Sequence, residues 1–399
     1  MECNTPSFDV NIEPTGFVVD LDSLYAALAG LRDKRKARGM RYALVTVLTY
    51  VVLAKLSGQD SLSGIADWIR LRKETLVQAF PLKKLRAPCA NTYRNILEHG
   101  IDVVELEQVV HTFFAQQSHA GDSLVIALDG KTLRGTIDLA HLQGQHLLAA
   151  YLPAEGWVLF QVEVDGKENE ISAAPRVLKT LDLRGKIVTG DAMFAQRKLS
   201  LQITEAGGDY VWTVKDNQAT LRQDIELLFQ PEKTVKGFNA GVTEFRTAQT
   251  IEKNHGRLER RTLTVSAALK EHLDWPGVEQ VFKLDRYFER TQDHHVTYEV
   301  TYGITSLSAN KVAADELLCI IRQHWDIENG LHYRRDVTLH EDACHLKRGQ
   351  AQPALAVINN LIIGLILRLG WTNLAEARRY FDACFDQAKK VILQPLADF

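Results

Sequence analysis

The chain is poor in cysteine, with five scattered among 399 residues (Cys3, Cys89, Cys319, Cys344, Cys384). None is paired at C-x-x-C spacing, which argues against a zinc site or a disulfide framework and for a reducing compartment. Long apolar runs are also missing. The stretch Tyr42 to Ala54 has 13 residues, too few to span a bilayer, and the one around Leu361 to Leu369 is shorter still. The first residues, MECNTPSFDV, carry Glu2 and Asp9 and lack a basic start followed by an apolar core, so no signal peptide is expected. A cytoplasmic protein without a membrane partner is the expectation. Lys plus Arg is 47 against 50 for Asp plus Glu, a net charge of −3. That excludes a uniformly basic histone-like coat but leaves room for local basic patches. Modest glycine and proline exclude collagenous and low-complexity chains. What remains is a composition 46% apolar and 24% charged, ordinary for a globular protein with a real core.

The patterning divides the chain. Residues 1–17 read as a tail and 18–115 as a helical domain, with helices at Tyr42–Leu56, Ser61–Arg72 and Asn91–His99. Residues 120–231 alternate short apolar strands with helices in the order β-β-β-α-β-α-β. Residues 232–308 are rich in Val, Thr and Tyr and read as a β-rich insertion in an α/β core. Residues 309–395 read as helical throughout.

Three acids stand out. Asp129 ends the strand SLVIALD, Asp191 follows the strand KIVTG, and Glu328 lies in the helical text IIRQHWDIENGLHYRRDV. Carboxylates at the ends of apolar strands emerge where α/β folds bind ligands. In this strand order the first and fourth strands can lie side by side, bringing Asp129 near Asp191. Three converging carboxylates repel unless a cation is present. Hard oxygen donors without a Cys or His cluster favour two Mg²⁺ or Mn²⁺ ions, the arrangement suited to phosphodiester chemistry. A turn former or helix cap is the ordinary role of an Asp at a strand end. His324, Glu328 and Arg335 are spaced to share one α-helical face that suits a metal-bound phosphate; intrahelical pairing on a solvated face is the plainer explanation. Further candidates for DNA contact are Lys131 and Arg134 after the first acid, Lys215 and Asn217 after DYVWTV, His255, Arg257 and Arg261, and Arg35, Lys36 and Arg38 in the basic run 32–41. Each has a plain rival, a solvated charge or a turn cap. The tryptophans 157, 212, 275 and 371 read as core or interface.

Seven blocks of text carry a resemblance: DKRKARGMRY at 33–42, LDGKTLRGT at 128–136, KENEISAAP at 167–175, VTGDAMFAQ at 188–196, DYVWTVKDNQATL at 209–221, HGRLERRT at 255–262 and RQHWDIENGLHYRRDVTLHEDACHLKRG at 322–349. In this order and spacing the chain resembles the DDE transposases of bacterial insertion sequences, in the branch that includes the H-repeat-associated proteins of Rhs elements. The resemblance implies a ribonuclease H-like catalytic core interrupted by a β-rich insertion, behind an N-terminal helical domain. It implies a metal-bound triad falling on Asp129, Asp191 and Glu328. It implies cleavage of double-stranded DNA at element ends, strand transfer into target DNA, and a homodimer on paired ends. Related transposases carry Tyr, Arg, Glu and Lys around the last acid; here the positions hold Ile321, His324, Glu328 and Arg335. Two other readings stand beside this one: a catalytically inactive DNA-binding remnant, and a general metal-dependent nuclease.

Overall fold

A computed structural model describes residues 19–396 apart from Gly39, 81–86, 117–123, 138–143, 165–168, 231–243, His255, His345 and Lys347. The expected tail and His255 lie outside the described residues.

The front of the chain folds into helices α1 (Leu24–Ala29), α2 (Leu44–Leu56), α3 (Leu62–Leu71), α4 (Lys73–Ala79), α5 (Ala90–His99) and α6 (Val103–Gln116). Their starts follow local chemistry. Ser61 caps α3, its hydroxyl accepting the Gly64 N–H at 3.0 Å, which satisfies a donor that the first helical turn leaves free. Apolar α2 is buried on nearly all sides, so it is the centre of this bundle. The described residues of the basic run 32–41 are non-helical and lie between α1 and α2.

Nine strands follow: β1 (Val125–Thr132), β2 (His146–Leu152), β3 (Trp157–Val164), β4 (Ile187–Gly190), β5 (Asp209–Val214), β6 (Arg246–Asn254), β7 (Arg257–Ser266), β8 (Gln280–Arg290) and β9 (Val296–Thr305). They form one sheet in the order β3-β2-β1-β4-β5-β9-β8-β7-β6. β1, β4 and β5 are mutually parallel and the remaining pairings antiparallel. The parallel strands are nearly uninterrupted apolar text because both faces of the sheet are covered there. Helices α7 (Glu170–Lys179), α8 (Arg197–Glu205) and α9 (Ala219–Leu228) alternate with these strands. Asn169 opens α7 with a reciprocal capping box to Ser172. On the opposite face α10 (Ala314–His324) packs across β1, β4, β6 and β7.

The strands of the β-rich stretch belong to the same sheet as the preceding strands. β9 pairs antiparallel with β5, so the β-rich stretch continues the central sheet. Gly303 permits the junction: a Cβ there would collide with the Phe282 ring and the Trp212 carbonyl.

The C-terminal part is helical with an interruption. After α10, residues Ile327–His332 and Arg334–Thr338 are π-helical, Glu341–Ala343 is a 3₁₀ turn, and α11 (Ala351–Arg368), α12 (Leu374–Ala383) and α13 (Phe385–Leu393) follow. The short apolar run at Leu361 is part of the 18-residue α11, long and apolar enough to cross a membrane but 89% buried inside the protein. It is a core helix against α5, α6 and β3. Trp157, Trp212 and Trp275 are buried, and Trp371 packs on Tyr380 and Phe381.

Candidate active site

The register of β1 and β4 places Leu128 opposite Gly190. Asp129 and Asp191 follow those two residues, so the two acids are neighbours where the parallel pairing of β1 with β4 ends, β1 itself running on to Thr132 beside β2. Asp191 caps the 3₁₀ turn Ala192–Phe194, its Oδ1 accepting the Ala192 N–H at 2.6 Å. Thr213 Oγ1 donates to the same oxygen at 3.2 Å, and the Lys215 ammonium lies 3.2 Å from it. Partial burial would raise the Asp191 carboxyl. The Ala192 N–H, the Lys215 charge and Thr213 outweigh it and hold the group below its ordinary value. Asp129 accepts the Gly130 N–H on Oδ1 at 2.9 Å and faces His332 Nε2 from Oδ2 at 3.1 Å.

Glu328 lies in the π-helical run that packs against β1. Its side chain is exposed. Among the described residues no three His, Cys, Asp or Glu side chains gather into a cluster able to hold a metal ion. The sheet thus makes two of the three expected acids neighbours, and Glu328 lies on a separate segment that touches β1 but does not complete a cluster with them among the described residues. The paired aspartates offer the hard oxygen donors that Mg²⁺ or Mn²⁺ takes. The Lys215 ammonium stands beside Asp191, and a ring nitrogen of His332 faces Asp129.

His324 is buried against Thr189, Nδ1 lying 3.3 Å from the hydroxyl. Burial lowers its basicity, while the nearby charges of Asp129 and Asp191 pull the other way. It backs the site from beneath and is not placed to grip a phosphate from solvent.

Several expected DNA contacts have other partners. Arg335 is 0% exposed and donates from Nε to Glu341 at 2.6 Å. Its expected phosphate role is corrected: the π-helical turns break the 3.6-residue spacing on which that shared face was argued, and the guanidinium points into the core. Lys131 is buried and paired with Asp336. Arg35 folds onto Asp33 and the Tyr42 carbonyl. Arg261 lies between Glu252 and Glu259. Asn217 donates to the Ala192 carbonyl at 2.7 Å, so it braces the Asp191 turn. Arg134, Lys215, Lys36, Arg38 and Arg257 are exposed.

The residue-by-residue reading missed His332 and Thr213. His332 stands four positions after Glu328, a spacing that signals a shared helical neighbourhood; Thr213 gave no sequence signal.

This is a mixed α/β protein with paired carboxylates at one edge of a large sheet and helices at both ends of the chain. Residues 120–365 match the model of the transposase DDE domain, and residues 25–114 match the "DDE_Tnp_1-associated" model. The chain belongs to the DDE-domain transposase family. The "H repeat-associated putative transposase YhhI" of Escherichia coli (strain K12) is 28% identical over 353 residues, 87% of this chain and 91% of that one. The "Uncharacterized protein in dhlA 3'region" of Xanthobacter autotrophicus is 32% identical over 288 residues, covering 70% and 92% of the two chains. Among solved structures, the piggyBac transposase synaptic complex with hairpin DNA matches at a TM-score of 0.40 and 12% identity, over 93% of this chain and 75% of that one.

Proposed function

We propose that the protein is the DNA transposase of an insertion sequence, cutting phosphodiesters at element ends and transferring the freed strand into target DNA. The observation that carries this is the parallel register of β1 and β4, whose last pair, Leu128 and Gly190, is followed on each strand by an aspartate. The order 3-2-1-4-5 in the first five strands supports a ribonuclease H-like core. We read that core as residues 120–231 and 309–395, with 18–115 as the helical domain in front and 232–308 as an insertion that continues the sheet edge.

Asp129 and Asp191 would hold divalent metal, with Glu328 as the third acid. Two Mg²⁺ or Mn²⁺ ions would supply charge for the attacking and leaving oxygens of an in-line displacement. The Ala192 N–H and Thr213 keep Asp191 ionised and aimed. Lys215, beside Asp191, and exposed Arg134, Lys36, Arg38 and Arg257 would offer phosphate contacts. Hydrolysis at the element end leaves a 3′-hydroxyl. That oxygen then attacks a target phosphodiester, displacing a new 3′-hydroxyl there. A homodimer on paired ends and a cytoplasmic location belong to the same reading.

Purified protein, Mg²⁺ and a duplex bearing the element's own ends should give nicks and joined products. Asp129→Ala and Asp191→Ala should abolish both while leaving DNA binding in place. Equal cutting by either variant refutes the site. Salt-sensitive binding without product in the wild type selects the inactive remnant, and equal cutting of random duplex selects a general nuclease.

A further inference from the structure

We propose that His332 is a positioning residue that joins the segment carrying Glu328 to the Asp129 carboxylate. This rests on the reading of Asp129, Asp191 and Glu328 as the metal-holding acids.

His332 closes the π-helical run Ile327–His332, so it shares a short rigid piece of backbone with Glu328. Its Nε2 lies 3.1 Å from Asp129 Oδ2 while the Gly130 N–H occupies Oδ1 at 2.9 Å. With one donor on each oxygen, the plane of the carboxylate is fixed. The same contact links the π-helical segment to the strand end by side chains.

The ring is only 14% exposed, and its Nδ1 is buried without a hydrogen-bond partner among the described residues. An orphaned buried polar atom is destabilising. A phenyl ring would fill the same space without that cost, so packing alone does not account for an imidazole here. The bond from Nε2 to Asp129 does. Groups that orient metal-binding carboxylates and fix where a ligand-bearing segment docks control metal affinity without touching the metal. Single π-turns are themselves rare and cluster at functional sites; here one carries both the third acid and its tether.

The test is Mn²⁺ binding to the full-length, DNA-free protein, read calorimetrically and by electron paramagnetic resonance of the free ion. His332→Phe should weaken binding on the order of 10- to 100-fold, with an unchanged thermal unfolding midpoint. His332→Gln, whose amide N–H can reach the same oxygen, should recover most of the loss. Should the Phe variant not fold, His332→Asn, too short to reach Asp129, gives the same comparison. Binding within about twofold of wild type in a folded His332→Phe protein, or tighter binding, overturns the proposal. Asp129→Ala separates the two levels. If it too binds Mn²⁺ as wild type, the acid assignment falls along with the tether; if it loses binding while His332→Phe does not, only the tether falls.

Discussion

Replacing Arg335 with alanine should be the most damaging single change near the site, for reasons of stability. The guanidinium is 0% exposed and the Glu341 carboxylate 2%. Arg335 donates to Glu341 Oε2 at 2.6 Å and to Gln161 Oε1 at 3.1 Å. Asn359 donates to the other Glu341 oxygen at 2.8 Å, and Asn360 to Gln161 at 3.1 Å. This network joins β3, the second π-helical run, the 3₁₀ turn and α11. Without the guanidinium, Glu341 is left as a buried carboxylate facing one amide donor and the more distant Lys131. Breaking a buried ion pair by removing one partner costs about 3–5 kcal/mol. That is a large part of the roughly 5–15 kcal/mol by which a domain is stable. Chemical denaturation, followed by tryptophan fluorescence and circular dichroism, should show the first transition at markedly lower denaturant. The double variant Arg335→Met with Glu341→Gln should recover much of the loss, because no charge is then stranded.

The effect has a pH signature. Burial alone would raise the Glu341 carboxyl, but Arg335 and Asn359 hold it below its ordinary value of 4.5. A lowered acid contributes stability that is fully present above its unfolded value and lost as pH falls through the folded one. The gap between wild type and Arg335→Ala should therefore be full at neutral pH and shrink below about pH 4.5. A loss under about 1 kcal/mol at pH 7, or a gap that widens in acid, refutes the reasoning.

Two further outcomes follow from other residues. Burial drives the Glu107 carboxyl up to about 8, with Arg335 and a Gln161 backbone bond opposing. An acid raised in the folded state gives its full contribution below its unfolded value and loses it as pH climbs through the folded one. Glu107→Gln should thus match wild type near pH 4 and be the more stable protein by pH 9 in parallel unfolding curves; identical curves at both ends contradict this. The exposed and paired arginines should also separate in DNA binding. Lys36→Ala with Arg38→Ala should flatten the slope of log affinity against log salt by about 2, and Arg261→Ala, already held by Glu252 and Glu259, should leave it unchanged. Fluorescence anisotropy on a duplex at several salt concentrations measures both.

Much of this arrangement was legible in the residues. Short apolar runs before an acid located the parallel parts of β1 and β4, which do lie side by side, although β1 runs on past Asp129 to Thr132. Helical periodicity located α3 to within a residue of its bounds. The failures share a cause: they concern contacts between distant segments. Nothing local in VTYEVTYGITSL says that its last residues will pair with DYVWTV, so how the β-rich stretch joins the core sheet was not legible. Arg335 read as a solvent-facing cation because α-helical spacing was assumed through Glu328, whereas the chain widens to π-helical turns there. Asn359 and Asn360 masked the length of α11, because two amides in an apolar run look like an interruption. They are in fact the donors that the buried Arg335 network requires.

The direct pairing of β9 with β5 gives the sheet a mechanical property. Four strands at roughly 4.8 Å spacing put the outer edge strand on the order of 20 Å from β5. No hinge intervenes, since hydrogen bonds run unbroken from β6 through β9 into β5. β5 ends at the lysine that sits against Asp191. The outer strands and the residue that holds Lys215 against Asp191 are thus parts of one hydrogen-bonded blade.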